Sequence, residues 1–248
     1  MTGSIKQDIA WEWLPNLLGR AIALLICVFA FPLHLLICAA IRLLDHGPAL
    51  HRCFRIGISG SFFELRKYRS MQVNVHHELS SGLKMIVRRN DPRLTWLGPW
   101  LRCGIDELPQ LWNIFKGEMA WIGPRPDPDW MLPHYGVTCR ERIAALPGIT
   151  GLAQILNSRS LSTSEGFALD LWYLSHRTLW LDLWILLATP LYIAGWHSLG
   201  NTRLQHLRTI PEFVQLCRKC DEELADSKEI LLSCGVSALL LPANTVIC

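Results

Sequence analysis

Charge is scarce in this sequence, and each thing missing narrows what the chain can be. Only 18% of its 248 residues are Asp, Glu, Lys or Arg, and the formal net charge is +3. No run of five basic residues occurs, so the electrostatic footprint of a nucleic-acid binder is absent and nucleic acid is set aside as a partner. A disulfide framework is missing too. The nine cysteines are scattered, and Cys27 and Cys38 sit within an apolar stretch, which reads as reduced thiols. Cys217 and Cys220 have CxxC spacing without a second pair, and Cys234 and Cys248 are isolated, so a zinc site is not indicated. There is no internal repeat and no low-complexity tract. The glycine-bearing segment Pro147-Gly148-Ile149-Thr150-Gly151 lacks the lysine of a P-loop and reads as a turn where the backbone must be bare.

What is plentiful is apolar surface: half the residues are hydrophobic, and eleven are tryptophans, a residue favoured at the headgroup layer of a bilayer. Between Arg20 and Arg42 runs AIALLICVFAFPLHLLICAAI, free of formal charge, with Pro32 at its middle. It is too long for a signal-peptide core and no small-residue cleavage site follows it. As a straight helix it would be ~32 Å long, just enough for a ~30 Å hydrocarbon core, so length allows a span. Pro32 lacks an N–H and crowds the preceding turn, so the helix is expected to kink there and re-enter the same leaflet. Flanking charge does not arbitrate, since Lys6 and Arg20 precede the run while Arg42, Arg52 and Arg55 follow it. A kinked spanning anchor stays open as the alternative.

The expected organisation is a membrane-inserted helix over 1–46, a compact body over 47–196 and a tail of unknown role over 197–248 that includes the apolar piece Val236 to Leu241. The fold class is mixed α/β, mainly helical. Ser61 to Leu65 reads as a short strand after the turn Arg55 to Gly60. Leu108, Leu111, Trp112 and Phe115 fall at helical spacing, and Pro109 is tolerable in a first turn, which predicts a helix starting near Asp106-Glu107. Leu179 to Trp196, interrupted by Asp182 and Pro190, reads as an in-plane interfacial helix or a second span, the former fitting better.

The segment from Asp91 to Pro126 concentrates Asp91, Arg93, Arg102, Asp106, Glu107, Lys116, Glu118 and Arg125 among tryptophans and leucines. Charges held in such surroundings need a partner or a task, although a solvated face with incidental ion pairs has the same composition. Six blocks then carry a resemblance: GPALHRCFRIG, FELRKYRSM, DPRLTWLG, IDELPQLWNIFKGEMAWIGPRP, PGITGLAQ and Asp170-Leu171-Trp172-Tyr173. In this order they resemble the bacterial sugar transferases, the monotopic polyprenol phosphate phosphoglycosyltransferases. DELPQL with the downstream PRP is the most specific element.

The resemblance implies a transfer of sugar 1-phosphate from a UDP-sugar to polyprenyl (undecaprenyl) phosphate, with release of UMP, Mg²⁺ as cofactor and an aspartyl-phosphosugar intermediate. It implies membrane lipids as surroundings, a catalytic domain on the cytoplasmic face of a bacterial inner membrane, and a role in starting exopolysaccharide, O-antigen, capsule or glycoprotein glycan assembly. Asp106 matches the nucleophile; Glu107 matches its partner, holding the metal or assisting deprotonation. Physical chemistry agrees with that assignment. A carboxylate is already ionised at neutral pH but must approach an anionic diphosphate, so cations have to cancel the repulsion. An Asp-Glu pair offers Mg²⁺ hard oxygen ligands, and the helix expected next to it would add its positive end. Arg102, Arg125, Lys67 and Arg69 are candidates to clamp phosphate oxygens, with Pro124 and Pro126 stiffening the backbone around Arg125.

Each residue also has a structural reading. Arg102 can pair with Glu107 or Glu118, Lys67 and Arg69 can face anionic headgroups, and Asp106 can cap a helix. Two departures from the family pattern stand out: Leu101 occupies the first of two positions that are commonly basic, leaving Arg102 alone, and Phe31 rather than serine precedes Pro32. Asp170 and Tyr173 carry no assigned role. Two rival functions stay open, a non-catalytic membrane adaptor and a glycosyltransferase that releases UDP.

Overall fold

The structure, a computed structural model, describes residues 13–72, 93–156, 161–196 and 198–233. Lys6, Asp91, His197, Cys234, Cys248 and the Val236–Leu241 piece lie outside the described residues.

The apolar run forms two helices, α1 (Trp13–Phe29) and α2 (Phe31–Leu44), bent by 60°. Among the described residues no single helix is long and apolar enough to cross a membrane. Pro32 stands in the first turn of α2, where its missing N–H is one the helix would leave unbonded anyway, so the break falls at Ala30. Both ends of the bent pair pack on the same body. Near the start, Arg20 Nε donates to Phe115 O at 2.8 Å and Trp121 Nε1 donates to Gly19 O at 2.9 Å. A Cβ at Gly19 would sit 2.9 Å from the Trp121 ring, so the close approach depends on glycine. At the far end Ile41 is wholly buried with Ala49, Tyr68 and Leu101. The bend carries exposed apolar side chains, Phe29 at 77% among them.

Next comes an antiparallel hairpin of β1 (Leu50–Ile56) and β2 (Phe62–Tyr68), closed by a turn with Ser59 at φ 55° and Gly60 at φ 78°. The expected strand is thus present, running to Tyr68 rather than stopping at Leu65. A short helix α3 (Gly98–Leu101) leads into a 3₁₀ turn over Ile105–Gln110, followed by α4 (Leu111–Lys116). This corrects the expectation of a helix from Asp106-Glu107. Both residues lie in the 3₁₀ turn, and α4, only six residues long, begins five positions past Asp106, so it does not aim a helix end at the carboxylates.

The strands β3 (Ala120–Ile122) and β4 (Gly148–Thr150) pair in parallel, bracketing α5 (Val137–Arg140). A Cβ at Gly148 would meet Gly123 N at 2.1 Å, which is why the Pro147–Gly151 segment needs a bare backbone. Helices α6 (Leu152–Ile155), α7 (Thr163–Ser175) and α8 (Leu179–Ile193) follow. A capping box of Ser162 and Glu165 starts α7, and Thr178 caps α8. Asp182 accepts from Tyr173 Oη of α7 at 2.6 Å and from Arg177 Nε of the link between the helices at 3.1 Å, while α8 exposes Trp180 at 79%. The tail is built into the body: α9 (Ser198–Leu207) and α10 (Pro211–Ser233) bury Leu204, Leu207, Phe213 and Cys220 in the cluster that contains Tyr135, Phe167 and Leu169.

Candidate active site

The 3₁₀ turn starts after Gly104, whose φ of 95° reverses the chain. Asp106 and Glu107, both half-buried, leave that turn toward cations contributed by three other segments. Lys67 comes from β2, Arg102 from the end of α3, and Arg125 from the Pro124-Arg125-Pro126 segment after β3. Glu107 Oε1 accepts from Arg125 at 3.1 Å. Arg102 Nε donates to Ser70 Oγ at 3.3 Å.

Burial pushes the Asp106 carboxyl up to about 6, and the neighbouring Glu107 charge adds to the rise; Lys67, Arg102 and Arg125 oppose it. Lys67 is displaced downward, first by burial and further by Arg125 and Arg55, with Asp106 holding it up. These opposed shifts describe one electrostatic unit in which five charges share a poorly solvated space.

The structure therefore gathers Lys67, Arg102, Asp106, Glu107 and Arg125. Pro124 and Pro126 act through the backbone: Gly148 N donates to Pro124 O at 2.8 Å, and Arg55 Nη1 reaches Pro126 O at 3.5 Å. Arg69 is not with them. It is 5% exposed, and its guanidinium donates to Asp45 O at 2.9 Å and His46 O at 3.2 Å, closing the carbonyl end of α2. As a phosphate clamp it is thus misplaced, because its donors already hold the chain leaving α2. Glu118 bonds Lys116 and Asn113, each at 2.6 Å, so it is not where Arg102 finds its partner. The 3₁₀ turn has no side-chain cap, which removes capping as the task of Asp106.

Behind Arg125 lies a buried cluster that the sequence reading did not assemble. Arg142, 3% exposed, donates from Nη2 and Nε to Asp170 Oδ2 at 2.6 and 3.0 Å, from Nη1 to Tyr135 Oη at 3.0 Å and to Asp127 Oδ2, and from Nη2 to Arg125 O at 3.3 Å. Tyr135 Oη also donates to Asp127 Oδ2, and the guanidinium lies 4.0 Å from the centre of the Phe167 ring. Burial pushes the Asp170 carboxyl up to about 6 against the pull of Arg142. Asp170 thereby gains the role it lacked: it neutralises the arginine that fixes the Arg125 carbonyl. The available signal was a charged Arg142 leading into the apolar Ile143-Ala144-Ala145-Leu146, unusual without a buried partner.

On the other side, a cavity of about 550 Å³ lies between the helical bend and β2, lined by Leu24, Val28, Phe31, Tyr68, Leu108 and Trp112 among others. Its wall includes Leu108 and Pro109, so one 3₁₀ turn supplies the two carboxylates at its start and apolar cavity lining at its end.

A carboxylate pair among cations, set beside an apolar cavity under a bent hydrophobic helix pair, defines a class of site suited to an anionic group carrying an apolar tail. Residues 11–195 match the family model described as bacterial sugar transferase, and the chain belongs to that family. Among its relatives, the UDP-glucose:undecaprenyl-phosphate glucose-1-phosphate transferase of Caulobacter vibrioides is 39% identical over 179 residues, covering 68% of this chain and 65% of that protein. The galactosyl transferase CpsE of Streptococcus agalactiae is 35% identical over 188 residues, 70% of this chain and 40% of its own length. EpsL of Bacillus subtilis, named as an uncharacterized sugar transferase, is 37% identical over 173 residues, 69% of this chain and 82% of its own. The chain thus spans less than half of CpsE, and 33% of the undecaprenyl-phosphate galactose phosphotransferase of Salmonella typhimurium.

Proposed function

We propose that this protein moves a sugar 1-phosphate from a UDP-sugar to polyprenyl phosphate in two displacements at Asp106. An Asp106 oxygen attacks the sugar-bearing phosphorus; the bond to the bridging oxygen breaks, and UMP leaves with the electron pair. An oxygen of polyprenyl phosphate then attacks the same phosphorus, the bond to Asp106 breaks, and the carboxylate is regained. No proton is gained or lost overall. Arg102, Arg125 and Lys67 offset the charge that builds as one anion approaches another.

The observation that carries this reading is the arrangement of Asp106 and Glu107 against three cations, with an apolar cavity opening from the same turn. Among the described residues no group of three or more His, Cys, Asp or Glu forms a protein-only metal cage. Two adjacent carboxylates fit Mg²⁺ all the same, because this ion commonly takes one or two carboxylates and completes its shell with phosphate oxygens and water. Asp106 and Glu107 would hold it, and when bound it supplies positive charge at the diphosphate. Since Glu107 already engages Arg125, ion binding and the arginine compete for one carboxylate.

Residues 1–46 are proposed to enter one leaflet and return, with the catalytic body of 47–196 on the cytoplasmic face of a bacterial inner membrane. The packing of both hairpin ends on one body supports this, since a straight span would carry one end away. Purified protein given UDP-sugars, polyprenyl phosphate and Mg²⁺ is expected to release UMP steadily only when all three are present. Release of UDP would favour a glycosyltransferase, and no release from any nucleotide-sugar would favour an adaptor.

A further inference from the structure

We propose that Glu223 is a positioning residue for this site, and that α10, which lies beyond the segment matched by the family, is the strap through which Arg125 is held. The proposal rests on the function proposed above. Glu223 Oε1 accepts from Thr138 N at 2.7 Å and Oε2 from Cys139 N at 3.0 Å, two N–H groups of the first turn of α5 that have no partner within the helix. Burial works against the Glu223 carboxylate, yet those N–H bonds outweigh it and hold the carboxyl below its usual range.

The fit is close. A Cβ at Gly136 would lie 2.3 Å from Glu223 Oε2 and 2.7 Å from its Cβ, so the loop entering α5 must be bare where the carboxylate arrives. One turn earlier on α10, Cys220 is wholly buried in the same core cluster as Cys139 of α5. α5 continues directly into the 3₁₀ turn Glu141–Ala144, which carries Arg142. Arg142 in turn holds Arg125 O, and the Arg125 side chain meets Glu107. Four consecutive contacts therefore run from α10 to the carboxylate pair, each a hydrogen bond or a continuous helical turn.

The same core also receives α10 at Phe213, which is 1% exposed, and this permits a control. Phe213→Ala weakens the attachment of α10 without removing the Glu223 bonds, while Glu222→Gln removes an exposed neighbouring charge. In the full-length protein in nanodiscs, Glu223→Ala is expected to raise KM for the UDP-sugar on the order of fivefold, within the range that residues along a coupling network produce, and to leave KM for polyprenyl phosphate unchanged. Glu223→Gln, which keeps one acceptor oxygen, is expected to fall between. Phe213→Ala should lower Tm without moving either KM, and Glu222→Gln should do neither. Hydrogen exchange of residues 122–127, which needs no turnover, is expected to speed up in Glu223→Ala more than in Phe213→Ala. That measurement stands even if the wild-type protein releases no UMP. Equal exchange in the two variants, or the same KM change in both at matched loss of Tm, would overturn the positioning role.

Discussion

Asp106 is poorly solvated and sits beside Glu107, and burial first and the neighbouring charge second set the pH behaviour of the proposed reaction. The Asp106 carboxyl, near 6 in the folded protein, lies above the ordinary carboxylate value of about 4 expected on unfolding. Between those values the folded protein holds a proton that the unfolded chain does not, so Asp106 disfavours folding as pH rises through that window. As nucleophile it must be ionised, and UMP release is therefore expected to fall as pH drops below about 6 at limiting Mg²⁺. Saturating Mg²⁺ should move that limb to lower pH, and a pH–rate series at two Mg²⁺ levels checks both. Asp106→Asn is expected to lose turnover by about three orders of magnitude or more while its thermal melt is unchanged or rises, because a charge disfavoured by burial has been removed. The buried cluster has the opposite character. Arg142→Met leaves Asp127 and Asp170 facing each other without a cation, at a cost on the order of 3–5 kcal/mol, whereas Asp170→Asn, which removes the carboxyl that already binds its proton near pH 6, is expected to cost less; urea unfolding of both variants orders them.

At the scale of elements, the parts legible from sequence were those in which local chemistry decides. The uncharged run around Pro32 gave a bent helix pair, and the β-prone Phe62 and Phe63 after a glycine turn gave β2. What could not be read was set by contacts distant along the chain. β3 and β4 are three residues each and pair because Gly123 and Gly148 let two backbones touch, a proximity that no local pattern encodes. Pro109 has no N–H to donate to Ile105 O, which interrupts an α-helix through the carboxylates and leaves them in a 3₁₀ turn ahead of α4. Arg69 lies two positions after Lys67 and would share its face if β2 ran on, yet the strand ends at Tyr68, so Lys67 reaches the site while Arg69 closes the end of α2. The hairpin carries its own expectation. Gly19→Leu should drive a side chain into Trp121 and destabilise the packing of α1 by about 1–3 kcal/mol, seen as a lower Tm in detergent.

Over the whole molecule, apolar surface that a soluble protein would hide is left open in several places. Trp96, Trp100 and Trp180 are each more than 70% exposed, as are Phe29 and Leu43 of the hairpin. Such a surface suits the headgroup layer and the outer part of one leaflet. Extraction from membranes is accordingly expected to need detergent and to resist high salt, and cysteine labelling should find positions before Arg20 and after Arg42 on the same side. The family match accounts for residues 11–195, and the α9–α10 pair completes the core beyond it. The central claim is a covalent bond between Asp106 and the phosphorus that carries the sugar. Enzyme mixed with UDP-sugar and Mg²⁺, without lipid acceptor, and quenched in acid should yield in mass spectrometry a peptide containing Asp106 heavier by one sugar phosphate. An unmodified peptide from enzyme that still makes lipid-linked product would contradict that bond.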